Sequence, residues 1–208
     1  MAPVDSSDLV VAAARPVQGG AVTNGQLYAQ AMASTLRIIE TVAQDRWHAP
    51  TPCTEWDARQ VANHIIGENL WAGELFQRKT VAQVGSTLDG DLTGDDPAAA
   101  YRRSVEVARQ AVQAPGAMEA TCHLSFGDYS GADYASQLFM DTLIHGWDIA
   151  RGTGQDVQLD AALVARCMPI AEEFTRKFRA AGVFGDDLPV AEDADQQTKL
   201  LALVGRRP

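Results

Sequence analysis

From Asn24 to Val42 the apolar positions Leu27, Met32, Leu36, Ile39 and Ala43 recur three to five residues apart, the spacing of a helix with one buried stripe. The following Ala49-Pro50-Thr51-Pro52-Cys53 must break that helix, because two prolines remove backbone donors and restrict the residues ahead of them. Thr54 stands three residues before Asp57 in the manner of a capping box and predicts a second helix over about Glu55–Lys79. Its inward stripe reads Val61, His64, Ile65, Glu68 and Trp71 or Ala72. Gly85–Asp96 is an acidic, turn-rich loop, with Asp95 or Asp96 placed to cap a third helix that holds Pro97 in its first turn and runs to about Ala114.

Met118–Phe126 shows partial alternation with β-branched and aromatic residues, which allows a short extended segment with its turn at Gly127-Asp128. Ser130 and Asp133 open a fourth helix, marked along one face by Tyr134, Leu138, Asp141, Thr142, His145 and Ile149 and ended by Gly152 or Gly154. A fifth helix over Asp160 to about Ala181 contains Pro169, expected to kink it or to split off its first part. Beyond Gly182 the chain is acidic and irregular until an apolar turn at Leu200–Val204. Five helices with little strand signal predict an all-α, antiparallel helix bundle, the architecture that builds sites from side chains on facing helices. Residues 1–22, without sustained period, are expected to form an N-terminal arm, and residues 23–208 one helical domain.

Composition narrows the class of function. The chain has 208 residues with 17 basic against 27 acidic, a net charge of −10, and a field of that sign repels phosphate backbones and anionic lipid. Neither nucleic acid nor membrane is an expected partner. The longest apolar run, Leu9–Ala14, is six residues, against the roughly 20 needed to span a bilayer. The first twenty residues lack a signal-peptide pattern, so a cytoplasmic location is expected. Three widely spaced cysteines, Cys53, Cys122 and Cys167, fit a reducing compartment better than a disulfide framework.

Two of the four histidines, His64 and His145, fall on apolar stripes. A single histidine there is ordinarily a hydrogen-bonded core residue. The pair is different because Asp141 precedes His145 by four residues, which stacks a carboxylate and an imidazole on one helix face. Two ligands from one helix and a third from a facing helix leave a position for water or substrate, the pattern of catalytic zinc; nickel, iron or manganese accept the same donors. Glu68, four residues after His64, is a weaker candidate as ligand or general base, with a solvated helix residue as the plainer reading. Asp148 is placed to orient a ligand histidine or, alternatively, to pair with Arg151. Cys53, ahead of a helix start, is a candidate reactive thiolate, against the simpler role of a small residue in a tight proline turn. Cys122-His123 is an isolated pair, His48 falls in a connecting turn, and Trp56, Trp71 and Trp147 suit either a pocket or the core. No phosphate-binding glycine loop or nucleophile-elbow motif is present.

Ala49-Pro50-Thr51-Pro52-Cys53-Thr54-Glu55-Trp56-Asp57, running into Val61-Ala62-Asn63-His64, resembles a signature of the actinobacterial family typified by the N-terminal domain of mycothiol-dependent maleylpyruvate isomerase. Asp141 to Arg151, followed by Gly152-Thr153-Gly154-Gln155, resembles its second signature, and Gln197–Pro208 is similar to the end of a single-domain branch. The resemblance implies a DinB-like four-helix bundle with an additional C-terminal helix and a divalent metal held by His64, Asp141 and His145. The isomerase has glutamate where this chain has Asp141, and it carries a further C-terminal domain for which this chain is too short, so metal binding is implied more directly than the isomerase reaction. Members of the wider superfamily are similar to thiol-dependent transferases that use bacillithiol, mycothiol or glutathione, so the resemblance implies a thiol-dependent class. The expected function is therefore a metal-dependent transferase or isomerase acting on a small electrophile, with mycothiol as cosubstrate. A non-enzymatic metal- or ligand-binding module, as a monomer or homodimer, and a zinc-activated hydrolase are the alternatives.

Overall fold

Thr23 begins the first helix by accepting a hydrogen bond from the Gln26 amide at 3.2 Å, while the Gln26 side chain accepts from the Thr23 amide at 2.9 Å. This reciprocal cap offers partners to amides that a helix start leaves bare. The structure, a computed structural model, describes residues 22–179 and 187–207. The expected arm lies outside these residues except for Val22. The elements are α1 (Asn24–Ile39), α2 (Ala58–Leu75), α3 (Val81–Val84), α4 (Pro97–Gln113), β1 (Thr121–Leu124), β2 (Gly127–Ser130), α5 (Gly131–Thr153), α6 (Ala161–Phe178) and α7 (Gln196–Leu203), with a 3-10 turn at Gln44–Arg46. Among the described residues the fold is all-α apart from one hairpin.

Helices α1, α2, α4 and α5 form the bundle: α1 packs on α4 and α5, and α2 packs on the same two partners. Being covered from two sides, α1 buries Leu27, Tyr28, Ala31, Met32, Thr35, Ile38 and Ile39. The expected narrower stripe is corrected here, since Leu36 is only half-buried and Ala43 lies exposed beyond the helix end. A polar thread crosses the core, in which the Tyr28 hydroxyl donates to Asn69 and Asn69 Nδ2 donates to Ser104 Oγ at 2.9 Å.

Three boundaries differ from expectation. Asp57, not Thr54, caps α2, because Asp57 and Gln60 form the closed reciprocal box at 2.8 and 2.9 Å, and the helix ends at Leu75, short of Lys79. The extended segment is a two-stranded antiparallel hairpin in which Leu124 faces Gly127, so the turn is Ser125-Phe126 and Gly127-Asp128 belongs to β2. Pro169 does not split α6. Proline and Ala165, whose carbonyl loses its donor, both lie on the exposed side, while Leu163, Val164, Cys167, Ala171 and Thr175 form an unbroken buried face. The expected end near Ala181 lies outside the described residues. The apolar turn at Leu200–Val204 is the second half of α7 and its C-cap Val204; Asp195 caps the helix start, and Leu200 and Leu201 are buried in the main core, with α7 packed on α6.

Helix α5 is the longest and the most enclosed. Gly146 lets α1 come close, since a Cβ there would lie 2.3 Å from Thr35 Oγ1, the hydroxyl that donates to the Thr142 carbonyl at 3.1 Å. At its far end Gly152 receives the proline loop, where a Cβ would meet the Pro50 carbonyl at 2.7 Å. Among the described residues, no helix is long and apolar enough to cross a membrane.

Candidate metal centre

The site forms where α2 and α5 face each other beneath the proline loop. Thr51 organises that loop: its Oγ1 donates to the Trp56 carbonyl at 2.8 Å and accepts from the Cys53 amide at 3.2 Å. Trp56 is thereby laid over both histidines, with ring centroids 4.8 Å from His64 and 5.8 Å from His145.

His64 Nε2 lies 3.1 Å from Asp141 Oδ2, and His145 Nε2 lies 3.5 Å from Asp141 Oδ1. The two imidazoles meet edge to face at 5.1 Å. One donor atom from each of the three residues falls within 4.8 Å of the others. The 3.1 and 3.5 Å separations run to different oxygens of Asp141, so that the carboxylate faces both rings at once. Behind the ring, His145 Nδ1 lies 3.0 Å from Asp148 Oδ2, which leaves Nε2 for the site. A carboxylate behind a ligand histidine is the usual support for a bound metal.

The same contacts set the charges. Burial disfavours a charged His64, but the charge and hydrogen bond of Asp141 outweigh it and hold the ring up at about 9. Burial likewise works against an ionised Asp141, yet His145 and His64 hold its carboxyl down at about 2. Without a metal the two form an ion pair.

These side chains open onto a cavity of about 600 Å³ whose apolar wall includes Met140, Ile144, Phe174, Phe178 and the hairpin residue Phe126, and whose polar groups include Glu55, Gln137 and Arg206. Glu68 is not within the donor cluster. It lines a smaller neighbouring cavity of about 210 Å³ with Trp71 and Tyr134, and burial together with the charge of Asp141 pushes its carboxyl up to about 7.

Asp148 pairs not with Arg151 but with Arg206; Arg151 instead sits over the ring of Trp147, a core residue. Cys53 lines the large cavity, but burial pushes its thiol up in spite of the nearby Arg206, which is contrary to an activated thiolate. Cys53, His145 and Asp148 also bring donor atoms within 4.8 Å; that set is the poorer one, since Asp148 is already engaged by a guanidinium. His48 and His123 stand apart, paired with Asp57 and Asp128. The residue missed by sequence reading is Arg206, 58 positions from its partner.

The family model described as the mycothiol maleylpyruvate isomerase N-terminal domain matches residues 28–150. Two uncharacterized proteins of Mycobacterium tuberculosis, one from strain CDC 1551 / Oshkosh and one from strain ATCC 25618 / H37Rv, are each 29% identical over 171 residues, covering 81% of this chain and 90% of the relative. No solved structure matches the chain.

Proposed function

The chain belongs to the mycothiol maleylpyruvate isomerase N-terminal domain family, and from that premise we propose that it binds a divalent metal, zinc foremost, through His64, Asp141 and His145 and carries out thiol-dependent transfer or isomerisation on a small electrophile, with mycothiol as cosubstrate. The observation that carries this reading is the convergence of two imidazole nitrogens and a carboxylate within 4.8 Å at the wall of a cavity of about 600 Å³. A divalent ion with three protein ligands supplies one thing when bound, an acidified thiol or water in the remaining position at neutral pH.

The chain's own side chains do the rest. His64 and His145 offer Nε2, and Asp141 offers one oxygen toward each ring. Trp56 closes the side nearest both rings. Met140, Ile144, Phe174 and Phe178 exclude water and give an electrophile an apolar surface to lie on. Glu68, titrating near neutrality, is suited to hold or release a proton.

Protein purified without added metal, analysed for metal content and then incubated with mycothiol and a panel of electrophiles, tests the reading. One divalent ion per chain, lost in His145→Ala, and metal-dependent conjugate or isomer are expected. Equal traces in both proteins, or no product above the metal-free control, would contradict it.

A further inference from the structure

A histidine has two ring nitrogens, and which one carries the proton is decided by what the other meets. At His145 that partner is Asp148, whose side chain is 0% exposed. Asp148 is met from behind by Arg206, whose Nε reaches Oδ1 at 3.2 Å and whose Nη2 reaches Oδ2 at 2.9 Å. A carboxylate in this two-pronged pair is an acceptor only, so His145 Nδ1 must be the donor, and Nε2 is the nitrogen turned toward Asp141, 3.5 Å from its Oδ1.

The placement of Arg206 is built into the chain end. Gly205, at φ +79°, turns the backbone out of α7, with its amide on the Ala202 carbonyl at 3.0 Å and the Arg206 amide on the Leu201 carbonyl at 2.8 Å. That double bond is a Schellman turn, and it aims the guanidinium back into the bundle, where Nη1 also donates to the Val204 carbonyl at 3.1 Å. Buried Leu200, Leu201 and Val204 hold the turn down. The guanidinium side chain is only 14% exposed. Arg206 lies outside residues 28–150, the part matched by the family model.

We propose that Arg206 is a positioning residue for His145: acting through Asp148, it fixes the ring as the Nδ1–H tautomer and presents Nε2 to His64 and Asp141, so that docking of the C-terminal turn completes the site. The consequence for metal affinity rests on the proposed metal reading; the tautomer does not.

Long-range proton–nitrogen correlation spectra of metal-free protein with labelled histidine, at mildly alkaline pH, test the tautomer directly. Wild type should show His145 protonated at Nδ1. Asp148→Asn keeps Arg206 and α7 in place but turns an amide N–H₂ toward the ring once its oxygen serves the guanidinium, so the proton should move to Nε2. Arg206→Ala should lose the single tautomer and, by competition with a chromophoric chelator, bind zinc about 10- to 100-fold more weakly. Arg206→Lys, which keeps charge without the two-pronged fork, should recover part of both and serves if Arg206→Ala does not fold. If wild type binds no zinc yet the tautomer shifts as described, the metal reading fails and the positioning role stands. An unchanged Nδ1–H tautomer in folded Arg206→Ala and Asp148→Asn overturns the proposal.

Discussion

His64 Nε2 on α2 lies 3.1 Å from Asp141 Oδ2 on α5; Asp141 raises His64 to about 9, while His145 together with His64 holds Asp141 down at about 2. A metal must displace the proton on His64 before it can bind. Apparent zinc affinity is therefore expected to rise about tenfold per pH unit from neutrality toward pH 9 and then level off. Chelator competition across that range checks it, and a flat profile would show that His64 is already unprotonated at neutral pH.

The same pair sets the stability of the metal-free protein. His64 is raised from 6.5 to about 9, so its contribution is complete below about 6.5 and disappears as pH rises through 9. Asp141 is lowered from 3.8 to about 2, so its contribution is present above about 4 and disappears as pH falls through 2. Melting temperatures of chelator-treated protein should be highest between about pH 4 and 6.5 and fall toward pH 9. Asp141→Asn should flatten the alkaline fall; an equally steep fall in that variant would place its origin elsewhere.

The α1–α5 approach is expected to tolerate nothing larger than glycine at position 146. The Cβ of Gly146→Ala would stand 2.3 Å from Thr35 Oγ1 and 3.2 Å from Thr35 Cβ, and overpacking of this kind costs about 1–3 kcal/mol. Urea unfolding should show that loss, with part of it regained in the double variant with Thr35→Ala, which removes the nearer atom but not the farther one. Equal stability of Gly146→Ala and wild type would mean that α1 is free to shift.

In the core, Tyr28→Phe removes the hydroxyl that donates to Asn69 and leaves a buried carbonyl oxygen with one partner fewer. A cost of about 1–3 kcal/mol in urea unfolding is expected. A neutral result would mean that Asn69 finds another donor.

Where local pattern decides structure, the sequence was a sufficient guide. His64, Asp141 and His145 were legible because helical spacing puts Asp141 and His145 on one face and apolar neighbours mark the face that turns inward. Ser130, Asp160 and Gly154 bound their helices as read. The errors lie where a second partner decides. A single stripe underestimates α1, which is covered by two helices, and Thr54 loses to Asp57 because Gln60 can close the box from its own side chain. Gly127 suggests a turn, but at φ +135° it sits in β2 opposite Leu124. Arg206 carries no periodic signal at all. Its meaning arises only when α7 folds back and brings it to Asp148, a contact 58 residues apart.

X-ray absorption at the zinc edge, on zinc-loaded wild type with no added thiol, tests the proposed centre most directly, because it distinguishes His64, Asp141 and His145 from the competing set that contains Cys53. A first shell of nitrogen and oxygen alone at about 2.0–2.2 Å, with the outer-shell scattering of two imidazoles, is expected. A sulfur scatterer at about 2.3 Å, or a shell without imidazole, would contradict it.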